Sequence, residues 1–317
     1  MKRVPLKCSL VIRAYNEEKH IGRLLEGVRH QTVKDVEVIL VDSGSRDATA
    51  AIAGHYGARI VHIHPSEFTF GRSLNLGVRA ATHELIVVAS AHVYPVYPDW
   101  LERLLDPFSD PRIALTYGKQ RGGEKTRFSE HRIFAHWFPE RTNPVQDHPF
   151  CNNANAAIRR SLWAEHPYDE SLAGLEDLSW AKWALGSGYR LAYMAEAEVV
   201  HVHNESPSEV QHRYQREAMA FKRLFPEAHF SFYDFLRTTF ANIIDDLRQA
   251  ARSRSFWHNF AGICWFRWMQ FWGTYQGYRS SAELNWQLRR TFYYPHGDHM
   301  DVSAERDVEP IRYHEQL

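Results

Sequence analysis

Two histidines, His201 and His203, stand two residues apart where a strand signal, Glu198-Val199-Val200, comes to an end. If the strand continues through them, both imidazoles leave the same face, because side chains alternate along a strand. Two such groups at a strand end can ligate a metal, and His92 closes a second strand-like run at Ser90-Ala91-His92. A different chemistry is offered by V-I-L-V-D-S-G-S-R-D-A-T, residues 38–49. Its aliphatic part suits a strand buried on both faces. Beyond the carboxyl end, Asp42, Ser43 and Ser45 can hydrogen-bond a polar ligand. Glu176 and Asp177 are adjacent carboxylates ahead of a helical pattern carried by Trp180, Trp183 and Ala184. As first-turn acids they complement the helix dipole, whether or not they also do chemistry. Asn152, Asn153 and Asn155 are costly to bury unless hydrogen-bonded, so they suit a strand or loop lining a polar cleft.

These residues need a frame to hold them. Strand signals at Ser9–Arg13, Val36–Val41, Arg59–Ile63 and Leu85–Ala89 alternate with helical stretches near Glu17–Arg29, Thr49–His55 and Arg72–Ala81. That βαβ rhythm predicts an α/β fold with a mostly parallel central sheet flanked by helices. In the first helix Ile21, Leu24, Leu25 and Val28 recur at helical spacing, which places Tyr15, Asn16 and Glu17 at its N-terminus beside a strand end. Ser45 or Asp47 is expected to cap the second helix. Arg72, Asn75 and Arg79 share a face of the third, where Arg72 either holds phosphate near the N-terminus or is a solvated surface arginine.

Composition excludes some classes. Lys+Arg and Asp+Glu are both 38 in a chain of 317 residues, so no basic surplus points to a nucleic-acid partner. The chain is 44% hydrophobic and can bury a large core. Cys8, Cys151 and Cys264 are widely separated, odd in number and without metal-finger spacing, which fits a reducing compartment. The apolar stretch from Cys8 to Ile12 is too short for a signal-peptide core, so the expected location is the cytoplasm.

Taken in order, R-A-Y-N-E-E, the V-D-S-G-S-R-D-A-T turn, F-x-x-G-R-S-L-N-L-G from Phe68, N-N-A-N-A-A-I-R-R from Asn152, and G-L-E-D from Gly174 resemble the family 2 glycosyltransferases. These are inverting enzymes of the GT-A fold that use nucleotide-diphosphate sugars, and the resemblance covers about residues 8–220. The segment from Phe68 is most similar to the rhamnosyltransferase branch that builds bacterial surface polysaccharides. The resemblance assigns Tyr15, Glu17 and Asp42 to the nucleoside, with Ser45, Asp47, Arg72 and Asn75 nearby, and adds Asn153 and Asn155 to the nucleotide-sugar site. It makes Asp177 the general base and gives Glu176 an orienting role. Where the family carries Asp-x-Asp, this chain has Ser90-Ala91-His92. His92, with His201 or His203, then forms an imidazole site that favours Mn²⁺ over Mg²⁺. Without a metal, His92 and Arg72 would meet the leaving diphosphate directly. The implied donor is dTDP-rhamnose or a UDP- or GDP-sugar, and the acceptor a growing glycan, lipid-linked at the inner face of the membrane. A nucleotidyltransferase and a catalytically dead sugar-nucleotide or glycan-binding protein are the alternatives.

The layout expected is a catalytic domain over residues 1–225, a helical, aromatic-rich extension over 226–295 and a polar tail over 296–317. Helical patterns run over Phe232–Arg252 and Phe256–Tyr278, the second crowded with Trp257, Phe260, Trp265, Trp268 and Trp272 but interrupted by His258, Asn259, Arg267 and Gln270. It is a poor membrane span. It suits a peripheral helix in a bilayer interface, or packing against the catalytic domain or the second subunit of a homodimer.

Overall fold

The computed structural model describes residues 6–280. The first half of the chain runs β1 (Lys7–Ala14), α1 (Ile21–Arg29), β2 (Asp35–Asp42), α2 (Thr49–His55), β3 (Arg59–His62), α3 (Phe70–Ala80), β4 (Leu85–Ser90), β5 (Val93–Pro95) and α4 (Trp100–Leu105). There follow β6 (Ile113–Gly122), α5 (Phe128–Trp137), β7 (Asn143–Gln146), β8 (Asn155–Arg159), α6 (Arg160–Glu165), α7 (Glu176–Gly186) and β9 (Arg190–His201). Three long helices close the described chain: α8 (Pro207–Leu224), α9 (Phe232–Arg252) and α10 (Phe256–Arg279).

The strands form one sheet in the order β3-β2-β1-β4-β8-β6-β9-β5, with β7 also paired to β9. β3, β2, β1 and β4 are parallel, β8 runs antiparallel between β4 and β6, and β6 and β9 are parallel again. The α/β fold is therefore as expected. Both faces are covered, which is why the first strands read as unbroken apolar runs. Val11 joins Ile39, Val41, Leu74 and Val78 on one face, while Leu10 and Ile12 join Leu24, Leu25 and Trp100 on the other. On α1 the stripe Ile21, Leu24, Leu25 and Val28 is buried as its spacing predicts, each side chain being worth roughly 1.5–3 kcal/mol.

Two helix starts differ from the pattern. α1 starts at Ile21 rather than Glu17, because Asn16 takes a left-handed backbone (φ 54°) and the Glu17 carbonyl accepts from His20 N and Ile21 N in a preceding turn. α3 starts at Phe70, two residues ahead of Arg72, because the Thr69 hydroxyl accepts from Arg72 N and caps it.

The chain leaves β1 toward β2 on one side and returns through β3 to β4 on the other. The crevice at the carboxyl ends of β1 and β4 is thus a topological switch point, where open α/β sheets bind ligands.

The C-terminal helices pack onto this frame. Gly273 and Gly277 of α10 lie so close to α8 that a Cβ on either would collide with the carbonyl oxygen of Gln211 or Gln215. Arg267, 5% exposed, donates through Nε (2.8 Å) and Nη2 (3.2 Å) to Asp246 of α9 and approaches Ser129 O of α5. Among the described residues no helix is long and apolar enough to cross a membrane. Residues 281–295 of the expected extension, and the polar tail over 296–317, lie outside the described residues.

Candidate active site

A cavity of about 880 Å³ opens at the switch point, reached by the loops after β1, β2, β4 and β9, by the start of α7 and by one face of α8. On one side lie three histidines. His92 follows β4, and His201 and His203 end and follow β9, where the β5–β9 pairing sets Val93 opposite His201. The His92 and His201 rings stack with centroids 5.0 Å apart, His201 and His203 are 4.0 Å apart, and one nitrogen from each ring lies within 4.8 Å of the others. Each Nδ1 meets an oxygen: His92 faces Glu17 Oε1 at 2.7 Å, His201 faces Gln120 Oε1 at 2.7 Å, and His203 faces Glu130 Oε1 at 2.6 Å. The Nε2 atoms of His201 and His203 face one another at 3.0 Å, and Ser90 Oγ lies 3.0 Å from His92 Nε2. Burial pushes His201 well below the usual imidazole range, and the nearby His203, His92 and Arg213 act in the same direction.

Opposite them stand the acids of α7. Leu175 adopts a left-handed backbone (φ 57°), uncommon for a branched residue, and this turns Glu176 and Asp177 into the cavity at the helix start. Glu176 Oε1 accepts from Arg13 Nη1 at 3.1 Å and from Asn153 Nδ2 at 3.3 Å. Asp177 accepts from the backbone N–H groups of Asn153 (3.0 Å) and Leu178 (2.8 Å). Burial, then the charge of Glu176, raises the Asp177 pKa to about 7, against the opposing pull of those N–H groups and Arg13. A carboxyl poised near neutrality in a cleft is suited to proton transfer.

The structure sorts the remaining candidates. Glu17, Asp47 and Asn153 line the cavity with the residues above. Asp47 accepts from Glu18 N and Thr49 N, so it closes the β1 loop onto the turn ahead of α2, whose N-cap is Ala48 rather than Ser45 or Asp47, while the Ser45 hydroxyl accepts from Asn16 N behind the wall. Tyr15 packs against the hydrophobic core, and Asp42, 3% exposed, accepts from Ser45 N. Tyr15, Asp42 and Ser45 thus do not line the cavity, and three more of the expected side chains do not reach it either. Arg72 points away and pairs with Glu67 and Glu170 at 3.4 Å. Asn75 spends its whole hydrogen-bonding capacity internally, donating to Tyr168 O and Glu170 Oε1 and accepting from Trp163 Nε1 and Tyr168 N. Asn155 likewise joins Trp100 Nε1, Lys119 O and Ala197 O at the centre of the sheet.

Sequence reasoning missed Arg13, Gln120, Glu130, Arg213 and Arg216. Arg13, Arg213 and Arg216 line the cavity, and Arg213 Nη2 pairs with Glu130 (3.0 Å) and Glu205 (2.6 Å). A signal for the α8 arginines existed: Gln211, Arg213, Gln215 and Arg216 interrupt an otherwise amphipathic helix that follows directly on His201-Val202-His203.

Residues 9–166 match the family described as Glycosyl transferase family 2. The chain is 29% identical over 221 residues to the O-antigen chain rhamnosyltransferase RfbN of Salmonella typhimurium, an alignment spanning 66% of this chain and 70% of that one. The chain belongs to glycosyl transferase family 2. This glycosyltransferase is also 29% identical over 220 residues to the O-antigen chain rhamnosyltransferase WbaN of Salmonella anatum, covering 65% of the chain and 69% of the relative. Its fold is that of the GT-A enzymes. The mannosyltransferase PcManGT from Pyrobaculum calidifontis, solved in complex with GDP-Man and Mn²⁺, superposes with a TM-score of 0.57 at 17% identity, covering 92% of this chain and 88% of that one. Glucosyl-3-phosphoglycerate synthase from Mycobacterium tuberculosis superposes with a TM-score of 0.51 at 20% identity, covering 69% and 79%.

Proposed function

We propose that this glycosyltransferase transfers a sugar with inversion, from a nucleotide-diphosphate donor to a hydroxyl of a growing surface polysaccharide. The observation that carries the reading is one cavity lined both by a buried, raised-pKa carboxyl and by a cluster of imidazoles tied through Glu130 to Arg213. Asp177 takes the proton from the acceptor hydroxyl as its oxygen bonds to the anomeric carbon. The bond from that carbon to the β-phosphate oxygen breaks, and its electron pair leaves on the nucleoside diphosphate. Glu176, held by Arg13 and Asn153, orients the base. Arg213 has a buried Nε without a hydrogen-bond partner and lines the same space, so it suits the charge that develops on the diphosphate.

His92, His201 and His203 would hold a divalent cation. Three imidazoles within 4.8 Å fit Mn²⁺ better than Mg²⁺, which prefers oxygen donors and near-octahedral water. When bound, the ion neutralises charge on the departing diphosphate. The Pyrobaculum neighbour was solved with Mn²⁺, which is consistent with that choice. Likeness to the two Salmonella rhamnosyltransferases makes dTDP-rhamnose the first donor to test and an O-antigen-like glycan the first acceptor class.

The lipid-linked form of that acceptor, and peripheral contact with the membrane, are part of the same proposal. At the α9–α10 turn Arg248, Arg252, Arg254, Trp257 and Phe260 are all exposed, Trp257 by 85%. Exposed aromatics beside arginines are what an anionic bilayer interface binds. The deciding experiment incubates the enzyme and Mn²⁺ with dTDP-rhamnose, UDP- and GDP-sugars in turn, with a lipid-linked saccharide as acceptor. Transfer with inverted anomeric configuration by NMR is the expected result. Retained configuration, or neither transfer nor hydrolysis of any donor, overturns the reading.

A further inference from the structure

The three histidines are held in one tautomer by three separate oxygens from three separate elements. Glu17 comes from the loop after β1, Gln120 from β6 and Glu130 from α5. A carboxylate or amide oxygen 2.6–2.7 Å from Nδ1 can only accept, so each ring carries its proton on Nδ1 and its lone pair on Nε2. For His201 and His203 this brings two lone pairs within 3.0 Å. Such an approach is repulsive unless a positive centre is shared between them, and a proton or a metal ion meets that need. With metal–nitrogen bonds of about 2.1 Å, two nitrogens this far apart subtend about 90° at the ion, an ordinary cis-ligand angle.

We infer that Glu17, Gln120 and Glu130 are positioning residues that aim the Nε2 atoms of His92, His201 and His203 at a single divalent transition-metal ion. The inference rests on the metal reading proposed above and adds who sets the site. Each oxygen does for its imidazole what an outer-shell carboxylate does at a zinc–histidine centre: it fixes ring rotation and raises ligand basicity. Glu130 has a further tie, since Arg213 Nη2 also donates to its Oε1. One carboxylate oxygen therefore couples the imidazole cluster to an arginine of the cavity wall. Glu17, expected at the nucleoside, turns its carboxylate to His92 instead. If an oxygen is removed, its ring is free to move the proton to Nε2, where N–H displaces the ion.

The test measures binding of Mn²⁺ alone by calorimetry and of Co²⁺ alone by its visible absorption, on the full chain, with thermal unfolding recorded for every variant. Wild-type protein should bind and His201→Ala should not. Glu17→Ala, Gln120→Leu and Glu130→Ala should each weaken binding by about 10–100-fold with altered Co²⁺ absorption. Glu130→Gln and Gln120→Glu, which keep an acceptor, should recover most of it. Glu17 sits at the cavity rim, so its variant carries the test if Glu130→Ala does not fold. Should wild type and His201→Ala bind alike or not at all, the metal reading fails and takes this inference with it. Should His201→Ala lose binding while the three oxygen-deleting variants bind within about twofold of wild type, only the positioning role is overturned.

Discussion

Arg13 at the end of β1 donates to Glu176 at the start of α7 across 163 residues of sequence, with 3.1 Å between Nη1 and Oε1. This pair joins the wall built by the parallel half of the sheet to the wall carrying the acids. Arg13→Met removes the guanidinium and leaves Glu176 beside Asp177 with less opposing charge. Turnover is expected to fall and the pH at half-maximal rate to rise, since the Glu176 charge already raises Asp177 and Arg13 opposes it. A pH–rate profile of the variant that overlays wild type would remove Arg13 from this role.

Asp177→Asn keeps the shape of the side chain and one of the two hydrogen bonds from the Asn153 and Leu178 N–H groups, which meet different carboxylate oxygens, but it cannot take a proton. The rate should fall by about 10²–10⁴, with donor affinity nearly unchanged by calorimetry. A loss of less than about tenfold would show that the proton goes elsewhere.

Asp177 also makes activity and stability respond to pH in opposite senses. Its folded-state pKa is about 7 against an ordinary 3.8. Activity should rise as pH passes about 7 and the base form appears. For stability, the folded protein between 3.8 and about 7 retains a proton that the unfolded chain has released. This group's contribution is therefore full at low pH and lost as pH rises through the folded value. Denaturant unfolding of wild type and Asp177→Asn across this range should show the slope in the first and its reduction in the second.

Asn75 and Arg72 should separate cleanly. Asn75→Ala strands the buried Trp163 Nε1 and the Tyr168 N–H and C=O, at about 1–3 kcal/mol for each unsatisfied group, and should lower the melting temperature by several degrees. Arg72→Ala sits on an exposed pair and should leave both stability and donor affinity close to wild type. A tenfold loss of donor affinity in Arg72→Ala would return that residue to the site.

Membrane contact at the α9–α10 turn predicts co-sedimentation with vesicles containing anionic lipid, weakening as salt is raised. Trp257→Ala combined with Arg252→Ala and Arg254→Ala should abolish it while transfer to a soluble acceptor persists. Equal sedimentation of wild type and the triple variant would exclude this surface.

The sheet was legible because its first strands are buried on both faces and its helices carry clean apolar stripes. Leu10, Val11 and Ile12 needed no tertiary information to be placed inside. The histidine cluster was legible as well, since His201 and His203 stand two residues apart at the end of one strand and a second strand end supplies His92, although β9 stops at His201 and does not run through both. What local pattern cannot carry is the spending of a polar side chain. Asn75 and Asn155 read as ligand-binding groups, yet their partners are Tyr168, Trp163, Trp100 and Ala197, distant in sequence and brought near only by packing. Arg213 and Glu130 escaped for the converse reason. Each is unremarkable on its own helix and acquires meaning when α5 and α8 meet the end of β9.

The glycines of α10 bear on how this chain can be cut and rebuilt. A shortened protein ending near Pro226 would keep every residue of the cavity, yet the backbone of α8 at Gln211 and Gln215 would face water where Gly273 and Gly277 now lie against it. Arg213 and Arg216 ride on those same turns. Grafting the first 225 residues into a chimera would therefore carry the reactive groups across without the brace that keeps two of them in register, and the transplant should bind donor worse than the parent.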